Sequence, residues 1–134
     1  MSIIWDESLI IGNKEIDDDH KKLIDMVGLV EQALESDVEP DELTRILHDL
    51  DNFTVEHFRR EERIMQQINY PGFQQHFKEH KDLIARFTAL KNDIIINLKK
   101  RQHLEESEAL IDMLRHWLID HVINEDRLIK PYLK

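Results

Sequence analysis

Residues 40–68 read Pro-Asp-Glu-Leu-Thr-Arg-Ile-Leu-His-Asp-Leu-Asp-Asn-Phe-Thr-Val-Glu-His-Phe-Arg-Arg-Glu-Glu-Arg-Ile-Met-Gln-Gln-Ile. Leu43, Leu47, Leu50, Phe53, Ile64 and Ile68 recur at spacings of three and four, which lays one apolar stripe along a helix. Pro40 suits the first turn, where its missing N–H would have no intrahelical partner anyway. The same stripe also carries His57 and Glu61, at places where the pattern calls for core residues. This one stretch therefore predicts both a long amphipathic helix and something polar inside the structure it builds.

Three further segments carry the same periodicity. Residues 18–35, approximately, place His20, Leu23, Val27, Val30 and Leu34 on one face, and Asp17, Asp18 and Asp19 suit its start near the positive end of the helix dipole. Tyr70-Pro71-Gly72 breaks the second helix from a third at about 73–99, whose stripe is Phe73, His76, His80, Leu83, Phe87, Leu90 and Ile94. After a polar stretch from Arg101 to Glu105, a fourth at about 105–129 carries Leu110, Leu114, Trp117, His121 and Leu128, with Pro131 closing it. Four such helices with short connections predict an all-α fold, an antiparallel up-down-up-down four-helix bundle. Residues 1 to about 16 form an N-terminal arm that Trp5, Ile10 and Ile11 can pin to it. With 134 residues, the chain reads as a single domain over 1–134.

Composition narrows the function. A formal charge of −10, from 28 acidic against 18 basic residues, opposes binding to nucleic acid or anionic lipid, both of which need a basic face. The absence of cysteine excludes disulfides, thiolate metal sites and cysteine nucleophiles. The first residues lack the basic start and long apolar run of a signal peptide, and no apolar run approaches membrane-spanning length. A cytoplasmic protein with no membrane or nucleic-acid partner is the expectation.

The stripes are interrupted by His20, His57, Glu61, His76, His80 and His121. Buried without partners, such groups cost about 1–3 kcal/mol for each lost hydrogen bond. Singly, each is weak. His76 and His80 stand one turn apart, a common grip on a metal, but in a chain with eight histidines such a pair can arise by chance. His57 and Glu61 have the same geometry and could simply form a surface hydrogen bond, and a lone His20 is more often a cap or surface residue. Convergence from four helices carries more weight. Five imidazoles and one or two carboxylates exceed the needs of one ion, and a structural zinc site takes four ligands, usually with Cys. Two octahedral-leaning ions bridged by carboxylates fit better, and iron accepts such mixed ligation.

At this point the chain resembles the hemerythrin family. The resemblance rests on Ile16-Asp-Asp-Asp-His20-Lys-Lys-Leu23, His57-Phe-Arg-Arg-Glu61, His76-Phe-Lys-Glu-His80 and Trp117-Leu-Ile-Asp-His121-Val-Ile-Asn-Glu-Asp126, with Tyr70-Pro71 between the second and third motifs. It implies that His76, His80 and His121 bind one iron, and His20 and His57 the other. Glu61 and Asp126 would bridge the two iron ions together with an oxo or hydroxo group, and dioxygen would bind at the open position of the two-histidine iron. Two features depart from expectation. Asp19, beside the first motif's histidine, is Gln in many relatives, which would alter the hydrogen bonds behind a ligand without removing one. On a straight α-helix Glu125, four residues after His121, faces the site better than Asp126, which is turned by about 140°. The family pattern nevertheless selects Asp126, so the helix must widen locally or Asp126 must approach from a flank.

The resemblance implies reversible dioxygen binding for storage, transport or delivery rather than an enzyme. No histidine has Glu three residues before it, the pairing of carboxylate-rich di-iron oxidases. Leu23, Phe58, Trp117, Leu118 and Val122 are candidates for a dry oxygen-pocket lining, or are ordinary core. Two other classes share the same site: an oxygen or redox sensing module with a signalling partner, and a di-iron enzyme such as a peroxidase or nitric-oxide reductase. The protein recipient of oxygen, if there is one, is unidentified. His48, His103 and His116 fall off the stripes and read as bystanders.

Overall fold

The computed structural model describes residues 5–36, 39–97, 104–117, 121 and 124–133. A short 3-10 turn, Glu7–Leu9, leads into four α-helices: α1 (Lys14–Glu35), α2 (Pro40–Gln67), α3 (Phe73–Asn97) and α4 (Leu104–His116). Each packs on the next, and α4 returns to α1, which closes the antiparallel four-helix bundle. The apolar stripes meet along its axis. Leu23, Val27 and Val30 of α1 face Leu43, Leu47 and Leu50 of α2, with Phe87 and Ile94 of α3 and Leu110 and Leu114 of α4 completing the core. Among the described residues no helix is long and apolar enough to cross a membrane.

The ends of the helices show where local chemistry overrode the simplest reading. α1 starts at Lys14, one turn before the expected Asp18, because the Asn13 side chain caps it by accepting from the Ile16 N–H at 3.0 Å. The three aspartates are thereby freed for other work. Asp17 accepts from the N–H groups of Ile11 (2.9 Å) and Gly12 (3.3 Å) and so ties down the arm. Gly12 makes the bend there at φ +101°, where a side chain would be strained. α2 ends in a Schellman motif: Tyr70 N–H donates to Met65 O and Asn69 N–H to Gln66 O, with Asn69 left-handed at φ 55°.

The arm is held, but not by all three expected residues. Trp5 packs against the core, with the Lys21 ammonium 5.1 Å from its ring. Ile11 is buried with Ile16 and Ile64, and Leu133 covers them. Ile10 points outward at 39% exposure, and Leu9 is buried in its place.

The fourth helix is the larger correction. The uniform α-helix expected over about 105–129 gives way after His116: Trp117, His121, Asn124 and Glu125 are π-helical, and Asp126–Tyr132 is a 3-10 helix with Pro131 inside it. These changes of winding shift the inward face. Leu128, placed on the stripe by a constant period, is 55% exposed, while Ile129 is fully buried. Residues 118–120, 122–123 and 98–103, including Leu118, Val122 and His103, lie outside the described residues.

This register has a direct consequence. Ile129→Ala should cost about 2–5 kcal/mol as a core truncation, and Leu128→Ala about 0.5 kcal/mol or less as a surface change. Urea unfolding of the two variants checks this; the reverse order would mean an unbroken α-helix.

Candidate metal centre

Seven ionisable side chains meet inside one end of this bundle. His20 comes from α1, His57 and Glu61 from α2, His76 and His80 from α3, His121 from the π-helical stretch and Asp126 from the start of the 3-10 helix. All seven are buried. They form two overlapping groups: Glu61, His76, His80, His121 and Asp126 in one, and His20, His57, Glu61 and Asp126 in the other, the ligand atoms of each lying within 4.8 Å of one another.

The two carboxylates belong to both groups because each divides its oxygens. Glu61 Oε1 lies 2.7 Å from His76 Nε2 and 3.2 Å from His80 Nε2, while its Oε2 lies 3.2 Å from His57 Nε2 and 3.7 Å from His20 Nε2. Asp126 Oδ1 lies 2.9 Å from His76 Nε2 and 3.1 Å from His121 Nε2, while its Oδ2 lies 2.8 Å from His20 Nε2. Glu125, the alternative on a straight helix, sits half-buried at the flank instead. The winding explains why: a π turn takes up one residue more than an α turn, so the fifth residue after His121 comes around to the position the fourth would hold.

The donor set fits metal ions better than it fits itself. His80 Nε2 and His121 Nε2 approach to 2.8 Å, and His76 Nε2 and His121 Nε2 to 3.1 Å. Two neutral imidazoles can share one proton across such a gap, but three converging nitrogens cannot all be satisfied that way. Nitrogens about 2.1 Å from one octahedral ion and at right angles to each other stand about 3.0 Å apart, close to the spacing found. His57 Nε2, Glu61 Oε2 and Asp126 Oδ1 are fully buried and stand within 3.2 Å of an oppositely polar atom, yet without hydrogen-bond geometry, a mismatch that a shared cation relieves.

Outside the cluster a further row of contacts orients it. His57 Nδ1 and Asp19 Oδ2 are 3.0 Å apart, and Arg60 donates to both oxygens of Asp19 at 2.8 and 2.9 Å. His80 Nδ1 and Glu62 Oε2 are 2.7 Å apart. Phe58 stacks flat on the His80 ring at 3.8 Å, and Trp117 meets Phe58 edge-on at 6.1 Å. The sequence reading did not assign roles to Arg60 and Glu62. The available signal was their place beside His57 and Glu61 on α2, next to a stripe already carrying charge.

The candidate pocket lining separates into parts. Phe58 and Trp117 border a small cavity of about 10 Å³ with Thr54, Leu83, Phe87, Met113 and Leu114. Leu23 belongs to the main core and does not border that cavity. A larger, more polar cleft of about 660 Å³ opens beside His121, lined by Glu79, Asp82, Arg86, His116, Trp117 and Glu125 among others. His48 is exposed, as expected, with its Nδ1 3.3 Å from Lys91 Nζ.

Without metal, charge inside the cluster must be balanced by protons. Burial disfavours the charged imidazoles, but Asp126 and Glu61 outweigh it and push His20 and His76 up to about 9 and His121 up to about 10. Burial likewise opposes charge on Glu61 and Asp126, and the surrounding imidazoles overcome it and hold both below the usual carboxylate range. The raised histidines stabilise the fold fully below their unfolded value of 6.5 and lose that contribution as pH rises through about 9. The depressed carboxylates contribute above their unfolded values of 3.8 and 4.5 and lose it as pH falls.

Thermal scans of the metal-free protein should therefore show a falling Tm from about pH 6.5 to 9. Metal binding, which displaces those protons, should tighten over the same interval and release protons into a weak buffer. A metal-free Tm that rises through this range would mean the imidazoles are neutral from the start.

The family model for the hemerythrin HHE cation binding domain matches residues 11–133. A bacteriohemerythrin of Methylococcus capsulatus is 31% identical over 120 residues, covering 87% of this chain and 85% of the relative. One from Pseudomonas paraeruginosa is 25% identical, covering 92% of this chain and 76% of the relative, and a hemerythrin-like protein of Naegleria gruberi is 25% identical, covering 96% and 92%. A crystal structure of a hemerythrin point mutant superposes with a TM-score of 0.77 at 26% identity, covering 99% of this chain and 98% of the other.

Proposed function

The chain belongs to the hemerythrin family, and from that membership we propose that it binds dioxygen reversibly at a non-haem di-iron centre, for storage, transport or delivery. In this reading His76, His80 and His121 hold one iron, His20 and His57 hold the other, and Glu61 and Asp126 bridge them with an oxo or hydroxo group. The observation that carries it is the division of oxygens within each carboxylate. Glu61 and Asp126 each turn one oxygen toward the three-histidine group and the other toward the two-histidine group.

When bound, the iron pair would supply two electrons to dioxygen and recover them on its release. The protein's part is to hold, orient and shield. The unequal histidine count leaves fewer protein ligands on the His20–His57 side, where a small ligand can be admitted. Phe58 and Trp117 cover the His80 side with apolar surface. Among the described residues bordering the adjacent small cavity, Thr54 gives its hydroxyl proton to Leu50 O at 2.7 Å, and the Trp117 indole N–H is buried without a hydrogen-bond partner.

The polar cleft beside His121 favours a second reading. Glu79, His116 and Glu125 line it and could deliver protons to a di-iron enzyme that turns over peroxide or nitric oxide. The two readings part in one experiment. Protein loaded with iron and reduced without air should hold two irons per chain, gain a visible absorption band on exposure to oxygen, and lose it when oxygen is removed. Irreversible oxidation with steady turnover of peroxide or nitric oxide would establish the enzyme instead, and fewer than two metal ions per chain would sink both.

A further inference from the structure

Among the five clustered imidazoles, His57 is set apart by what stands behind it. Its Nε2 faces Glu61 Oε2 at 3.2 Å, so its Nδ1–H is the edge that meets Asp19 Oδ2, 3.0 Å away. Asp19 is in turn gripped by Arg60, whose Nε donates to Oδ2 and whose Nη2 donates to Oδ1, a bidentate pair from α2 to α1. Asp19 and His57 are buried, whereas the Arg60 side chain is 28% exposed, with Glu56 3.9 Å away and the Phe53 ring beneath its guanidinium. The other contacts behind the cluster are different in kind. His80 meets Glu62, for which no cation is paired among the described contacts, and His20 Nδ1 makes no hydrogen bond.

We propose that Asp19 and Arg60 are a pair of positioning residues with opposed effects on the iron held through His57, Asp19 favouring its ferric state and Arg60 moderating that preference. This rests on the di-iron reading above and adds to it a device that sets the reduction potential. A carboxylate accepting from Nδ1–H fixes the tautomer, so that Nε2 is free to coordinate, and it makes that nitrogen a stronger donor. A stronger donor favours the higher metal charge. The guanidinium draws charge from the same carboxylate and so weakens the pull. Because Arg60 reaches solvent, the potential is set partly by a group at the surface.

The test uses the full chain in three forms: wild type, Asp19→Asn and Arg60→Met. Cobalt(II) is titrated into each metal-free protein, and the iron-loaded proteins are then titrated spectroelectrochemically. Asp19→Asn should weaken one of the two cobalt equivalents about 10–100-fold and raise the potential. Arg60→Met should lower the potential. A tenfold change in ferric preference corresponds to about 59 mV for a one-electron step. The opposite signs are the point, since two merely structural contacts would loosen His57 alike. Arg60→Met, at a partly exposed position, remains informative if Asp19→Asn folds poorly. Two bound ions with potentials that shift in the same direction, or not at all, overturn this inference alone. A wild-type chain that cannot hold two ions overturns it together with the di-iron reading.

Discussion

Glu61 turns its two oxygens toward different sets of imidazoles at full burial, and Asp126 does the same from the opposite side of the bundle. Everything else near this end of the structure answers to that arrangement. Seven ionisable groups in a dry volume are tolerable only if each is satisfied by another, because an uncompensated buried charge costs several kcal/mol. The carboxylates do part of this by holding protons on the imidazoles, and a pair of cations would do it more fully. The helices are thus placed by two demands at once. Leucine and valine stripes close the core in the half centred on Leu47 and Leu50, while in the other half position is dictated by which nitrogen meets which oxygen.

The irregular winding after α4 is the clearest sign of the second demand. A helix optimised only for burial would continue in α geometry and place Leu128 inward. Instead the chain widens through Trp117, His121 and Glu125 and then tightens into a 3-10 helix at Asp126. π turns are rare, and 3-10 stretches beyond a few residues are uncommon. Here the two meet at the residue that supplies the second shared carboxylate. Geometry that would be a cost anywhere else brings both His121 and Asp126 into one cluster, and Ile129 takes the core position that Leu128 gives up.

This also marks how far the sequence could be read. The bundle was legible because its signal is periodic: Leu43, Leu47 and Leu50, or Leu110 and Leu114, state their face without reference to anything distant. The imidazoles were legible for the inverse reason, as polar residues interrupting an apolar pattern at His20, His57, His76, His80 and His121. Asp126 was not legible from spacing, since α-helical arithmetic selects Glu125, and only the resemblance pointed to it. The start of α1 was misplaced because three aspartates look like a capping signal, and nothing local says that Asn13 caps while Asp17 binds the arm and Asp19 serves His57. Arg60 and Glu62 carry no periodic signature at all. Their partners lie on other helices, 41 and 18 residues away, and only the folded chain brings them together.

Long-range pairs of this kind also hold the helices that carry the cluster in register. Lys91, buried on α3, meets Asp51 of α2. Removing Asp51 would leave the buried Lys91 ammonium without its carboxylate, so this pair helps to fix the register of α2 against α3. Arg60 on Asp19 similarly fixes α2 against α1. The two interactions act on the same long helix, one near its middle and one toward its end, and His57 and Glu61 lie beside the second. A helix held at two such points by charge, and elsewhere by leucines that tolerate repacking, has little freedom to slide or turn. That restriction is what the divided carboxylate needs: a rotation of α2 would move Glu61 Oε1 and Oε2 together, improving contact with one set of imidazoles only by losing the other.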